Sequence, residues 1–148
     1  MPVVTSSVDI PDIAIEDVWD VICDFEQHPE YMADVVEVRY LERSSETALS
    51  SWRVLLNGSE LTWDEKDVFT PPHRIDFEQT EGDLEVFSGS WTLDVIETGV
   101  RVTLKIDFDL GIPSLAAVLD PVGIQAIRSN SISMLTAISR RKPTTADR

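Results

Sequence analysis

One stretch of this sequence places acids among aromatic rings. Leu61, Trp63, Glu65, Asp67 and Phe69 share one face of an extended segment, and Thr62, Asp64, Lys66 and Val68 share the other. Leu, Trp and Phe mark the first face as inward. Glu65 and Asp67 then stand at i and i+2 on one strand, about 7 Å apart, in apolar surroundings. Buried carboxyls beside a like charge have raised pKa values, which suits general acid and base work on enolisable β-keto groups. A strand that bulges or leaves the sheet after Trp63 would instead put both acids in water. Arg53, across a hairpin from this segment, has two readings. It reaches a carboxylate or a substrate oxyanion, or it alternates outward between Trp52 and Val54. These three residues, Glu65, Asp67 and Arg53, are the candidate catalytic set.

Trp52, Trp63 and Trp91 offer flat apolar surface that either stacks an aromatic or polyene ligand or fills a core. Phe77 and Phe87 are candidates for the same wall. Ser131 interrupts an apolar helical stripe beside Asn130. It offers a hydrogen bond to an interior ligand, or satisfies the carbonyl one turn back. His28 stands directly before Pro29 and reads as a surface residue. There is no G-x-S-x-G, no Cys/His pair and no glycine-rich phosphate loop. The two histidines and Cys23 lack metal-ligand spacing. Cofactor-free acid–base catalysis or pure binding remain.

The elements that must hold these residues follow from hydrophobic period. Val3 to Ile10 reads as a strand ended by Pro11. Ile15, Val18, Trp19 and Ile22 form a helical stripe, with Glu16 and Asp17 suiting the first turn. That helix stops by Gln27 or His28, and Pro29 to Met32 opens a short second one. From residue 35 the period is two, with Val36, Val38 and Tyr40 alternating against Glu37 and Arg39. Ala48 to Leu56 meets Glu60 to Phe69 through Asn57-Gly58, a strong hairpin signal. Asn57-Gly58-Ser59 is also a glycosylation sequon, by pattern only. Strands over His73 to Gln79, Leu84 to Ile96 and Val100 to Leu110 follow, separated by turns at Glu81-Gly82-Asp83 and Thr98-Gly99. A short helical piece, Ser114 to Leu119, precedes a long helix capped by Asp120 with Pro121 at its first position. Its inner stripe is Ile124, Ile127, Ser131, Met134 and Ile138, and Arg140-Arg141-Lys142 suit its C-terminal dipole. Strands segregated from helices indicate an α+β fold.

The 148 residues suit a single domain over 1–141, with 142–148 as a flexible tail. Twelve basic against 27 acidic residues give a net charge of −15, a field that repels nucleic acid and anionic membrane surfaces. The chain shows no signal peptide and no apolar run of membrane-spanning length, so membrane insertion is not expected. One cysteine forms no internal disulfide, and a cytoplasmic location is expected.

In VWDVICDFEQHPEYMADVVEV, the pair Val18-Trp19, Asp24-Phe25, Pro29 and the return at Val36 and Val38 follow a known pattern. So do Phe87, Gly89 and Trp91 ahead of a strand led by Gly99, and the closing amphipathic helix. Together these resemble the polyketide cyclase/dehydrase branch of the SRPBCC (START-like, helix-grip) superfamily, near its coenzyme Q-binding and ribosome-association toxin members. The resemblance implies a curved antiparallel sheet of about seven strands wrapped around a long C-terminal helix. It also implies a short helix pair after strand 1 and a deep cavity for a hydrophobic molecule. In that fold the helix pair rims the cavity mouth, which puts Tyr31 and His28 there. An arginine and a tyrosine that position the polyketide in related aromatase/cyclases fall here near Asp67 and Val35. Neither matches, so no functional residue is carried over.

The expected function is a polyketide cyclase or dehydratase that confines a polyketide-type intermediate and promotes its cyclisation or dehydration without a cofactor. The alternative is a non-catalytic carrier of a quinone or lipid. An interaction protein of the ribosome-toxin kind fits poorly with −15. Polar groups converging on the cavity separate catalysis from carriage. A homodimer is compatible with the sequence, which does not set the oligomeric state.

Overall fold

Each stretch of period-two hydrophobicity forms a strand: β1 (Val3–Pro11), β2 (Val35–Arg43), β3 (Thr47–Leu56), β4 (Ser59–Thr70), β5 (Arg74–Gly82), β6 (Val86–Ile96) and β7 (Gly99–Asp109). The structure, a computed structural model, describes residues 3–56, 58–109 and 116–141, with backbone only over 116–120. All strands pair antiparallel in one curved sheet of order β1-β7-β6-β5-β4-β3-β2. From β2 onward the sheet is a meander, and β1 adds to it beside β7. Between β1 and β2 run α1 (Ile15–Cys23), a 3-10 turn over Phe25–Gln27 and α2 (His28–Tyr31). The long α3 (Ala116–Arg140) crosses the inner face, packing chiefly along β1 and only lightly against β3 and β7. This is the START-like helix-grip architecture.

β4 keeps the expected alternation, with Trp63, Glu65, Asp67 and Phe69 all buried and Lys66 and Val68 exposed. A bulge does fall at Asp64/Glu65, but the extra residue is Thr80 on β5, so the inward row of β4 is undisturbed. Gly82 is required opposite it, since a Cβ there would lie 2.4 Å from the Cβ of Trp63.

Four expectations are corrected. β2 carries bulges at Val35/Glu37 and Tyr40/Glu42; the first turns Val35 inward and leaves Val36 exposed, breaking the Val36-Val38-Tyr40 face. Asp120 and Pro121 do not start a helix. α3 runs continuously from Ala116, and Pro121 sits in its second turn, where the missing N–H forgoes one hydrogen bond. β6 begins at Val86 rather than Leu84. His28 is fully buried, because α2 folds back and packs its imidazole against Phe25, Tyr31 and Trp52. Gly58 has φ +82°, as the hairpin turn requires. Asn57, Leu110, Ser114, Leu115 and the 142–148 tail lie outside the described residues.

Candidate active site

Glu65 and Asp67 face the interior and are both buried. The indole Nε1–H of Trp63 donates to Glu65 Oε1 at 2.7 Å. Ser50 Oγ donates to Asp67 Oδ2 at 2.6 Å, and Trp52 Nε1–H donates to Ser50 Oγ at 2.9 Å. Asp67 Oδ1 is buried without a partner, and its neighbour along the inner row of β4 is the Glu65 carboxyl, which a hydrogen bond would join to it. Such a bond needs one proton between the two groups. Burial pushes the Glu65 carboxyl well above the usual carboxylate range, and its bond with Asp67 and that group's charge add to the rise. Burial raises Asp67 too, against the lowering effects of its bonds to Glu65 and Ser50 and the charge of Arg43. Both carboxyls are thus pushed toward the protonated form, Glu65 the further of the two.

Glu65 stands on the wall of an interior cavity between the sheet and α3, lined by Trp52, Trp63, Phe77, Phe87 and Trp91 with Met134 and Asn130 above. Trp52 and Trp63 pair across β3 and β4 with parallel rings 5.9 Å apart, and Phe87 packs 4.6 Å from Trp63. These rings leave a volume of about 40 Å³. That space takes a water or two, well short of the roughly 300–1,000 Å³ of an occupied ligand pocket. The deep cavity expected from the resemblance is filled by its own aromatic walls. A groove of about 590 Å³ lies outside, between the β3–β4 turn and α3. Asn130 lines both spaces, and its Nδ2 donates to the carbonyl of Leu55 at 3.3 Å across the seam between them.

Residues 12–135 match the model of the family described as polyketide cyclase / dehydrase and lipid transport. The chain belongs to that family. A protein of Thermus thermophilus superposes with a TM-score of 0.86 at 24% identity, over 93% of this chain and 94% of that one. The Zhui aromatase/cyclase of a Streptomyces species gives 0.75 at 19%, covering 93% and 90%. A START superfamily protein of Mycobacterium smegmatis gives 0.72 at 14%, covering 93% and 94%. At these identities the structures share the fold alone. Comparison with curated proteins finds no match.

Of the candidates read from the sequence of this polyketide cyclase family member, Glu65, Trp52, Trp63, Trp91, Phe77 and Phe87 come together at one cavity, with Asp67 directly behind Glu65. Arg53 does not join them. Alternation sends it to the outer face, where its Nη2 meets Glu37 Oε1 at 2.7 Å. Tyr31 faces a separate groove beside the last turn of α3, with the Arg141 guanidinium 4.7 Å above its ring. Ser131 is buried on α3 but does not line the cavity, and its hydroxyl has no partner. Sequence reading passed over Ser50, although it alternates in register with Trp52 and lies opposite Glu65. That parity was a usable signal. Among the described residues no group of three or more His, Cys, Asp or Glu is placed to hold a metal.

Proposed function

We propose that this protein is a cofactor-free acid–base catalyst of the cyclase or dehydratase type, acting on a hydrophobic polyketide-type intermediate, with Glu65 meeting the substrate and Asp67 as its proton partner. The observation that supports it is the buried carboxyl pair itself, Glu65 on the wall of an aromatic cavity and held by an indole, Asp67 behind it and held by a hydroxyl. A methylene flanked by carbonyls gives its proton to Glu65 while Glu65 passes its own to Asp67. The electron pair left on carbon then attacks a carbonyl carbon, closing a ring, or expels a β-hydroxyl. The proton returns to the new alkoxide, or leaves with the hydroxyl as water, and the pair is restored. Once α3 parts from the β3–β4 side to admit it, confinement of a flexible chain among the rings supplies the orientation. A carrier has no use for such a pair, whose burial costs stability at neutral pH. The cytoplasm is the proposed compartment. Cys23 is a buried free thiol, pushed up to about 12 by burial, which fits reducing surroundings.

Turnover of a synthetic poly-β-keto thioester, followed by absorbance of the aromatic product, tests this reading. Glu65→Gln lowers kcat by about 10²–10⁴ with binding little changed. Asp64→Asn and Lys66→Gln, on the opposite face, stay near wild type. Full activity in Glu65→Gln, or tight binding of the thioester without turnover by the wild type, returns the protein to the carrier class.

A further inference from the structure

We propose that Arg43 is a positioning residue that fixes the negative charge of the carboxyl pair on Asp67 and so keeps the proton on Glu65, the member at the cavity. The inference rests on the acid–base reading of that pair and adds the device that polarises it.

Strand register gives Arg43 this place. Alternation from Val38 and Tyr40 would send it outward. The bulge after Tyr40 breaks the alternation: Tyr40 pairs with Ser50, Glu42 with Leu49, and Arg43 with Ala48. Ala48 pairs in turn with Asp67. Residues directly opposite on antiparallel strands share a face, so Arg43, Ala48 and Asp67 form one row on the inner side of the sheet. Two strand spacings, about 10 Å, separate the outer members. Ala48 is the smallest side chain of that row, and Arg43 at its outer end stays exposed while its guanidinium turns in over Phe69.

The guanidinium lies 4.3 Å from the ring centre of Phe69, which is two residues from Asp67 on the same face of β4, and 4.6 Å from that of Tyr40. Its N–H groups donate to the carbonyls of Ser44 and Cys23 at 3.3 and 3.5 Å. Among the described residues no carboxylate lies within ion-pairing distance of it. An arginine without a paired acid is out of place on a chain of net charge −15, and its field is free to act on Asp67. Arg43 lowers Asp67 and is not among the influences on Glu65, which is the asymmetry the row predicts. The other groups facing the pair do not supply a cation. Tyr40 lies on β2 with its hydroxyl donating to the Cys23 carbonyl, and Asp24 and Glu26 follow α1. Phe77 and Gln79 face the pair from β5, Met134 stands above the cavity from α3, and His28 packs behind Trp52.

The test is a pH titration of carboxyl-¹³C-labelled Asp and Glu by NMR in the wild type, Arg43→Met and Arg43→Lys, with folding checked by circular dichroism. Arg43→Met raises the lower of the pair's two titration steps by about one pH unit, a ten-fold gain in proton affinity, and Arg43→Lys restores most of the wild-type value. Arg43→Gln replaces Arg43→Met if the latter does not fold. An unmoved lower step in a folded neutral variant overturns the role of Arg43. Two independent titrations in the ordinary carboxylate range in the wild type overturn the acid–base reading itself, whatever the variants do.

Discussion

His28 shows how one buried side chain ties the helix pair to pH. Its Nε2 lies 3.0 Å from the carbonyl of Ile22, its Nδ1 has no partner, and burial lowers it from 6.5 to about 4. The unfolded chain therefore binds the extra proton first. Stability contributed by the neutral ring is present above pH 6.5 and is lost as pH falls toward 4, by about 3 kcal/mol in all. Urea unfolding between pH 7 and 4 measures this loss. His28→Gln keeps a donor for the Ile22 carbonyl without titrating here, so its stability falls less steeply over that window. An equal slope in both proteins would mean that the imidazole is exposed to protons in the folded state. The sequence hid this residue because a histidine before a proline normally ends a helix at the surface. Here the 3-10 turn over Phe25–Gln27 continues directly into α2 and turns the ring under Trp52.

At the scale of elements, β4 was readable because its alternation survives intact, and with it the inward Glu65 and Asp67. β2 was not, because a bulge is a property of two paired strands; nothing in Tyr40-Leu41-Glu42-Arg43 alone reveals that Arg43 changes face. The cavity size was equally out of reach, since it depends on how five aromatic rings settle against one another rather than on which residues face in. α3 is anchored along β1 and joined more lightly to β3, so the seam bridged by Asn130 and Leu55 is the side expected to open to a ligand. Asn130→Ala removes a hydrogen bond worth about 1 kcal/mol, enough for a roughly five-fold faster entry. Stopped-flow quenching of tryptophan fluorescence by 2-naphthol measures that rate; an unchanged rate would place the entrance elsewhere.

Across the whole molecule, surface charge contributes little to holding the fold. The ion pairs Arg53–Glu37, Arg74–Asp76 and Arg101–Asp9 are all partly or largely exposed, and such pairs are worth little in water. Stability resides in the aromatic interior, and Glu65 sits there at a cost. Its folded pKa is raised, so its favourable contribution is complete below the unfolded value of 4.5 and is lost as pH rises toward the folded value. Glutamine at this position accepts from Trp63 and donates to Asp67 as the protonated acid does, and never ionises. Chemical unfolding of Glu65→Gln and wild type from pH 5 to 8 therefore reads the ionisation of Glu65 directly. The variant gains on the wild type as pH rises, by up to about 1.4 kcal/mol per pH unit. A difference that stays constant with pH, or turns against the variant as pH rises, would contradict a protonated Glu65 on the cavity wall.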